Sequence, residues 1–185
     1  MEDLFKLSAN DAILKLKNRE VSPIELIDNA EDRINAIDGK INALPTLCFD
    51  RARAKARHLL ENPIQDAPPQ YLYGLPIAVK DLVEVAGVRT TWGSPLHADH
   101  ISSHSDYLVE RLEANGAIVI GKSNTPEFGA GSHTFNEVFG HTRNPWNTAL
   151  SAGGSSGGSA AALASGQVWL ATGSDLGGSL RNPAS

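Results

Sequence analysis

Two turns rich in glycine and serine, Ser151-Ala-Gly-Gly-Ser-Ser-Gly-Gly-Ser-Ala160 and Ser174-Asp-Leu-Gly-Gly-Ser-Leu-Arg181, are the places in this sequence where chemistry could be done. Consecutive glycines let a backbone curl until several amides point into one concavity, as stabilising the oxyanion of an acyl-transfer intermediate requires. Ser179, at the end of the second turn, is placed to attack a carbonyl whose oxygen the same turn would hold. A serine hydroxyl is a weak nucleophile until a base takes its proton. Neither turn contains a histidine, but Lys80 closes the apolar run Pro76-Ile-Ala-Val-Lys80. Burial there disfavours the ammonium and lowers its pKa from about 10.4, and a neutral lysine can act as the base of a serine.

Other readings of the same residues compete. A Gly/Ser run is often a flexible linker. Here it leads straight into an Ala-rich helical stretch and then an apolar run, so a packed turn at a helix N-terminus is the better expectation. Gly153-Gly-Ser-Ser-Gly157 also fits the G-x-S-x-G nucleophile elbow, which would make Ser155 the nucleophile. That elbow must follow a strand directly, and residues 144–149 do not read as one. Neither turn carries a phosphate-binding G-x-x-x-x-G-K-[ST] pattern. His97, His100 and His104, with Asp99 and Asp106, lack a recognisable zinc spacing and read as a solvated polar loop, so no metal is expected.

The elements that must position these turns follow from periodicity. Ser22-Pro-Ile-Glu25 is a capping box that starts a helix, whose apolar stripe Ile27, Ala30, Ile34 and Ile37 runs until Asp38-Gly39. A shorter helix is expected over Asp11–Lys17, a strand-like stretch over Ala43–Phe49 and a third helix over Arg51–Leu60. Asn62–Pro69 reads as a surface connection. Beyond it, Pro76–Lys80, a helix over Asp106–Asn115 and Ala117–Ile120 form a strand–helix–strand unit, with Asn115-Gly116 as the helix stop. A helix over Ser159–Ala164 and a third apolar run over Val168–Ala171 complete the pattern. Uniformly apolar strands predict an α/β fold with a mixed or parallel sheet covered by helices on both faces.

Composition narrows the class of function. The chain has 185 residues, 41% hydrophobic and 20% charged, with a formal net charge of −5, which suits a globular fold of one domain or part of one. Nothing in its charge pattern suggests a nucleic-acid partner or an acidic membrane, so a small-molecule ligand is expected. One cysteine, Cys48, cannot form an internal disulfide, and no apolar run approaches the roughly 20 residues of a membrane span. The acidic opening Met1-Glu-Asp3 is unlike a signal peptide, and the expected compartment is the cytoplasm.

Gly74-Leu-Pro-Ile-Ala-Val-Lys-Asp81, Gly153-Gly-Ser-Ser-Gly-Gly-Ser-Ala-Ala161 and Gly173-Ser-Asp-Leu-Gly-Gly-Ser-Leu-Arg-Asn-Pro183 together resemble, in order and spacing, the signature of the amidase signature family. Lesser matches are Gly121-Lys-Ser-Asn-Thr-Pro-Glu-Phe128 and Thr142-Arg-Asn-Pro-Trp146; the resemblance is dense from about Leu72 to Ser185. It implies the α/β amidase signature fold, a mixed sheet with helices on both faces. It also implies a helical segment over about 1–62 and a catalytic core from about 72, which in the family continues well beyond Ser185. Carried over by position, it makes Ser179 the nucleophile, Ser155 a bridging serine on a cis peptide and Lys80 the base. Backbone from Leu176 through Gly177 and Gly178 to Ser179 would form the oxyanion hole, and backbone near Gly129 would line the acyl pocket. Asp175 and Arg181 would hold the loop.

The resemblance implies hydrolysis of a carboxylic amide without a cofactor. Its nearest rival is the glutamine-hydrolysing component of a tRNA-dependent amidotransferase, which works with partner subunits. Asn124-Thr-Pro-Glu127 is closer in character to stand-alone amidases. A rival from another class is a non-catalytic fragment or interaction module. The acyl group, the leaving amine and any homo-oligomer stay open at this level.

Overall fold

The computed structural model describes residues 4–185; the acidic opening Met1–Asp3 lies outside them. In chain order the elements are α1 (Ala9–Lys17), α2 (Pro23–Ile41), β1 (Thr46–Leu47), α3 (Phe49–Glu61), β2 (Pro76–Lys80), α4 (Tyr107–Ala114), β3 (Ile118–Ser123), β4 (Phe135–Asn136), β5 (Gly140–His141), α5 (Gly157–Ala164) and β6 (Leu170–Ala171). Four strands form one sheet in the order β1-β3-β2-β6, and β4 and β5 form a separate small hairpin. β2 pairs in parallel with both β3 and β6, while β1 is antiparallel to β3, so the sheet is mixed.

Alternation along the central strands feeds two cores. Ala78, Ile118 and Ile120 join the helices α1, α2, α3 and α5 in one cluster, while Ile77, Val79 and Val119 join Val85, Val88 and Val109 of the α4 side in another. Every residue of β2 and of β3 is buried. The uniformly apolar runs thus mark a sheet covered on both faces, as expected for an α/β fold.

Local chemistry explains the helix boundaries. Ser22 Oγ accepts the Glu25 amide at 3.2 Å and Glu25 Oε2 accepts the Ser22 amide at 2.8 Å, a reciprocal cap. α2 does not stop at Asp38-Gly39 as expected but continues to Ile41, and Asn42 ends it in the left-handed conformation (φ 59°, ψ 51°). Burial of Ile41 rewards the extra residues, and the Asp38 carboxylate accepts the amides of Ala43 and Leu44 beyond the helix end. The stretch over Ala43–Phe49 yields only the short β1, because Phe49 already begins α3. The third apolar run is a strand only at Leu170–Ala171; Val168 and Trp169 are buried outside it.

One irregularity matters for the site. Ile77 pairs with Val119 but Ala78 pairs with Gly121, so Ile120 is an extra residue in β3. Such a bulge shifts the alternation of every residue after it. Lys122 therefore falls beside Asp81 on the α4 side, and Ser123 falls beside Ser159 of α5.

Candidate active site

Because β2, β3 and β6 are parallel, their C-terminal ends share one edge of the sheet, the usual place for a site in open α/β folds. Lys80 ends β2 there. Its backbone amide donates to Thr172 Oγ1 at 2.9 Å just beyond β6, and the Thr172 amide donates to the Ala78 carbonyl at 3.0 Å. The strand end is thus tied on one side to the residue that follows β6, while on the other Lys80 pairs with Ser123 of β3.

The first glycine-rich turn is buried from Gly154 to Ser159 and is no linker. A side chain on Gly154 would meet the backbone of His133 at 2.8 Å, and one on Gly158 would meet the Asn124 amide nitrogen at 2.3 Å. These positions require glycine because other backbone lies against them. The Gly154–Ser155 peptide bond is cis. No strand leads directly into the turn, which follows β5 only after the loop from Thr142 on and runs straight into α5, so the context of an α/β-hydrolase elbow is lacking.

The two turns together surround the end of Lys80 with hydroxyls. Lys80 Nζ lies 2.7 Å from Ser155 Oγ, 2.9 Å from Ser156 Oγ and 2.9 Å from Ser174 Oγ, and only 1% of the lysine is exposed. Burial pushes its pKa down to about 8, partly opposed by the Asp175 carboxylate. Three hydroxyls match the three protons of an ammonium. A neutral amine has two protons and a lone pair, so one of the bonds must then reverse. The Ser156 hydroxyl already donates to the Ser174 carbonyl at 3.3 Å, which leaves Ser155 and Ser174 as the hydroxyls able to turn toward nitrogen.

The second turn is held by its own carboxylate. Asp175 accepts from the amides of Gly178 (2.7 Å), Leu180 (3.2 Å) and Arg181 (3.3 Å) and from Arg181 Nε and Nη2 at 3.0 and 2.9 Å. The Arg181 guanidinium, followed by the Gly178 amide, holds its carboxyl well below the usual carboxylate range. One consequence revises the sequence expectation for the oxyanion donors. The Gly178 amide is already committed to Asp175, which leaves those of Leu176, Gly177 and Ser179.

The two turns are tied together. The Ser156 amide donates to the Ser179 carbonyl at 3.1 Å, and Asn182 Nδ2 donates to the carbonyls of Ser132 (2.7 Å) and Gly154 (3.2 Å). Between them lies an open cavity of about 260 Å³ lined by Gly129, Gly131, Ser132, Gly154, Leu176–Ser179 and Asn182. Ser179, the expected oxyanion turn and Gly129 therefore share one cleft. Lys80 and Ser155 stand behind its Gly154 wall. Among the described residues no hydrogen bond joins the Ser179 hydroxyl to Ser155.

Several neighbours do not stand out in the sequence. Ser156 and Ser174 lie within 0.2 Å of the Lys80–Ser155 distance, at 2.9 Å against 2.7 Å, and only their place in the serine-rich turns hints at it. The buried pair Lys122–Asp81, 2.8 Å apart, is another; its one signal is a second lysine closing an apolar run. Burial pushes the Lys122 pKa down, and Asp81 opposes that shift.

The histidine loop is solvated, as expected, but not without internal ties. His100 and His104 both reach the Glu84 carboxylate, at 3.0 and 2.7 Å, while His97 and His100 pack against Trp92 with ring centroids 4.7 and 5.1 Å away. Asp106 Oδ2 accepts the Glu84 amide at 2.8 Å. The loop is thus ordered around Glu84 while much of it stays exposed to solvent, His104 and Asp99 included.

Comparison with known proteins agrees with this architecture. The family model described as Amidase matches residues 25–185. The chain is 41% identical over 182 residues to a glutamyl-tRNA(Gln) amidotransferase subunit from Carboxydothermus hydrogenoformans, covering 98% of this chain and 38% of that protein. A solved chain from a vestigial protein complex that bears on the origins of an s-triazine catabolic enzyme superposes with a TM-score of 0.90 at 40% identity, over 97% of this chain and 39% of that one. A bacterial aryl acylamidase of the amidase signature family gives a TM-score of 0.88 at 35% identity, over 96% of this chain and 37% of that one. The chain thus spans well under half the length of these relatives. With the family model spanning both glycine-rich turns and Lys80, the chain belongs to the amidase signature family.

Proposed function

We propose that the protein carrying this chain hydrolyses a carboxylic amide through an acyl-enzyme on Ser179. The observation that carries the reading is the buried 2.7 Å bond between Lys80 and Ser155 behind the cleft that holds Ser179. With Lys80 neutral, the Ser155 hydroxyl turns its proton toward Nζ and its oxygen becomes free to accept one. Ser179 Oγ bonds to the substrate carbonyl carbon as its proton passes to Ser155 and the Ser155 proton passes to Lys80. The carbonyl π electrons move onto oxygen, where the free amides of Leu176, Gly177 and Ser179 stabilise the charge. Collapse re-forms the carbonyl and breaks the C–N bond, and the proton returns from Lys80 through Ser155 to the departing amine. Water then repeats the cycle on the ester and releases the acid and Ser179. The Ser179 and Ser155 hydroxyls close to bonding distance only once substrate fills the cleft, a common property of unliganded sites.

The identity to amidotransferase subunits supports a second reading of the substrate, in which the amide is glutamine and the ammonia passes to partner subunits. Both readings share the same chemistry at Ser179. The test is a fluorophosphonate trap applied to the purified natural protein, followed by turnover of glutamine, benzamide and hexanamide. Label is expected on the Ser179 peptide, with Ser179→Ala unlabelled and Ser155→Ala slow in turnover. Label on Ser155 would overturn the assignment.

A further inference from the structure

The buried charges that the relay leaves unused lie on the opposite face of the sheet from Lys80. Lys122 Nζ is bonded to Asp81 Oδ1 at 2.8 Å and to Thr90 Oγ1 at 2.7 Å, and neither Lys122 nor Thr90 has any exposure. The other carboxylate oxygen, Asp81 Oδ2, accepts the Thr91 amide at 3.0 Å and the Thr91 hydroxyl at 2.6 Å. That hydroxyl oxygen in turn accepts the Gly93 amide at 3.0 Å. The pair therefore fixes the strap of residues 90–93 against the ends of β2 and β3.

The strap reaches the cleft. The Trp92 carbonyl accepts the Phe128 amide at 2.7 Å, and Phe128 is held in the left-handed region (φ 49°) immediately before Gly129. Gly93 sits so close to the next turn that a side chain there would meet the Thr125 carbonyl oxygen at 2.9 Å and the Glu127 nitrogen at 3.1 Å. Ser94 Oγ donates to Glu127 Oε1 at 2.7 Å, a third tie between strap and turn. A run of short bonds, buried as far as Gly93 and opening to solvent at Glu127 and Phe128, thus leads from Lys122 to the backbone that forms the cleft wall at Gly129.

We propose that Asp81, Lys122 and Thr91 are positioning residues, which set the wall at Gly129 and so align the substrate carbonyl with Ser179 without touching substrate. This rests on the proposed acyl transfer at Ser179. Fixed backbone is what alignment needs, since a displacement of about 1 Å can cost roughly 100-fold in rate. An ion pair whose only task were stability would add little over apolar residues of similar size.

The test uses the natural protein and two readouts. Fluorophosphonate labelling of Ser179 reports the nucleophile and its relay, whereas kcat/KM for benzamide, hexanamide and glutamine also reports alignment of an amide. In the double variant Asp81→Asn/Lys122→Met, which leaves no lone buried charge, the labelling rate is expected to stay within about threefold while kcat/KM falls roughly 10- to 100-fold. Thr91→Val should lower kcat/KM about tenfold, and Thr91→Ser, which keeps the hydroxyl, should restore it to within about twofold. Unchanged kcat/KM in Thr91→Val would overturn the proposal, as would a loss of labelling parallel to the loss of turnover. Absence of Ser179 labelling in the unaltered protein would instead sink the acyl-transfer reading itself, so the two failures are distinct.

Discussion

Two buried lysines lie in the last two residues of neighbouring parallel strands, and their surroundings are opposite. Lys80 is ringed by three neutral hydroxyls, whereas Lys122 faces a carboxylate and a single hydroxyl. A lysine among hydroxyls can give up its proton without stranding a charge. One that neutralises a buried carboxylate cannot, because its partner would be left alone in a dry interior. The same side chain on the same sheet edge is thus suited to proton transfer on one face and to fixing backbone on the other.

The sharpest way to break this comparison is to remove each amine in turn. Lys80→Met is expected to lower amide turnover by roughly 10²- to 10⁴-fold, the usual range for loss of a general base. Its unfolding free energy should fall by less than that of Lys122→Met. Steady-state kinetics beside urea unfolding would check both halves, and retained activity with an intact fold would end the relay assignment.

Lys122→Met should show the reverse emphasis. It strands Asp81 with only the Thr91 amide and hydroxyl, and loss of one partner of a buried pair costs about 3–5 kcal/mol. A urea midpoint close to that of the unaltered protein would mean that Asp81 finds solvent or a proton more easily than its burial suggests.

The smallest expected effect is that of pH. With its pKa pushed down to about 8, Lys80 is mostly protonated at neutral pH, and the protonated form cannot accept a proton. Activity should therefore climb about tenfold per unit as pH rises toward that value and level off above it. In Lys80→Met the residual rate should lose this dependence, whereas in Thr91→Val the midpoint should stay where it was.

Much of this contrast could be read from the residue order, and some could not. Lys80, Ser155 and Ser179 stand out because each closes an apolar run or sits in a glycine-rich turn, patterns with direct physical meanings. The capping box at Ser22 and the apolar stripes of α2, β2 and β3 could be read for the same reason, each being set within a few residues. The role of Lys122 was hidden because its face depends on the extra residue at Ile120, which only pairing with β2 reveals. Loss of the Gly178 amide to Asp175, and the grip of Glu84 on His100 and His104, were hidden too. In both cases several groups compete for one carboxylate, and the winner is decided by three-dimensional packing.

The extra residue at Ile120 makes the end of β3 a matter of parity as much as of composition. Inserting one residue between Val119 and Lys122, with the bulge still a single residue, would keep every side chain yet send the Lys122 ammonium toward the serine turn and Ser123 into the place beside Asp81. Lys80 would gain a cationic neighbour, Asp81 would lose one, and both faces would fail together. Variation along this strand should therefore divide into two regimes. Changes of residue identity meet a graded response, whereas one added codon meets an abrupt one, so homologous strands grafted into this position must match in the parity of their pairing before they match in kind.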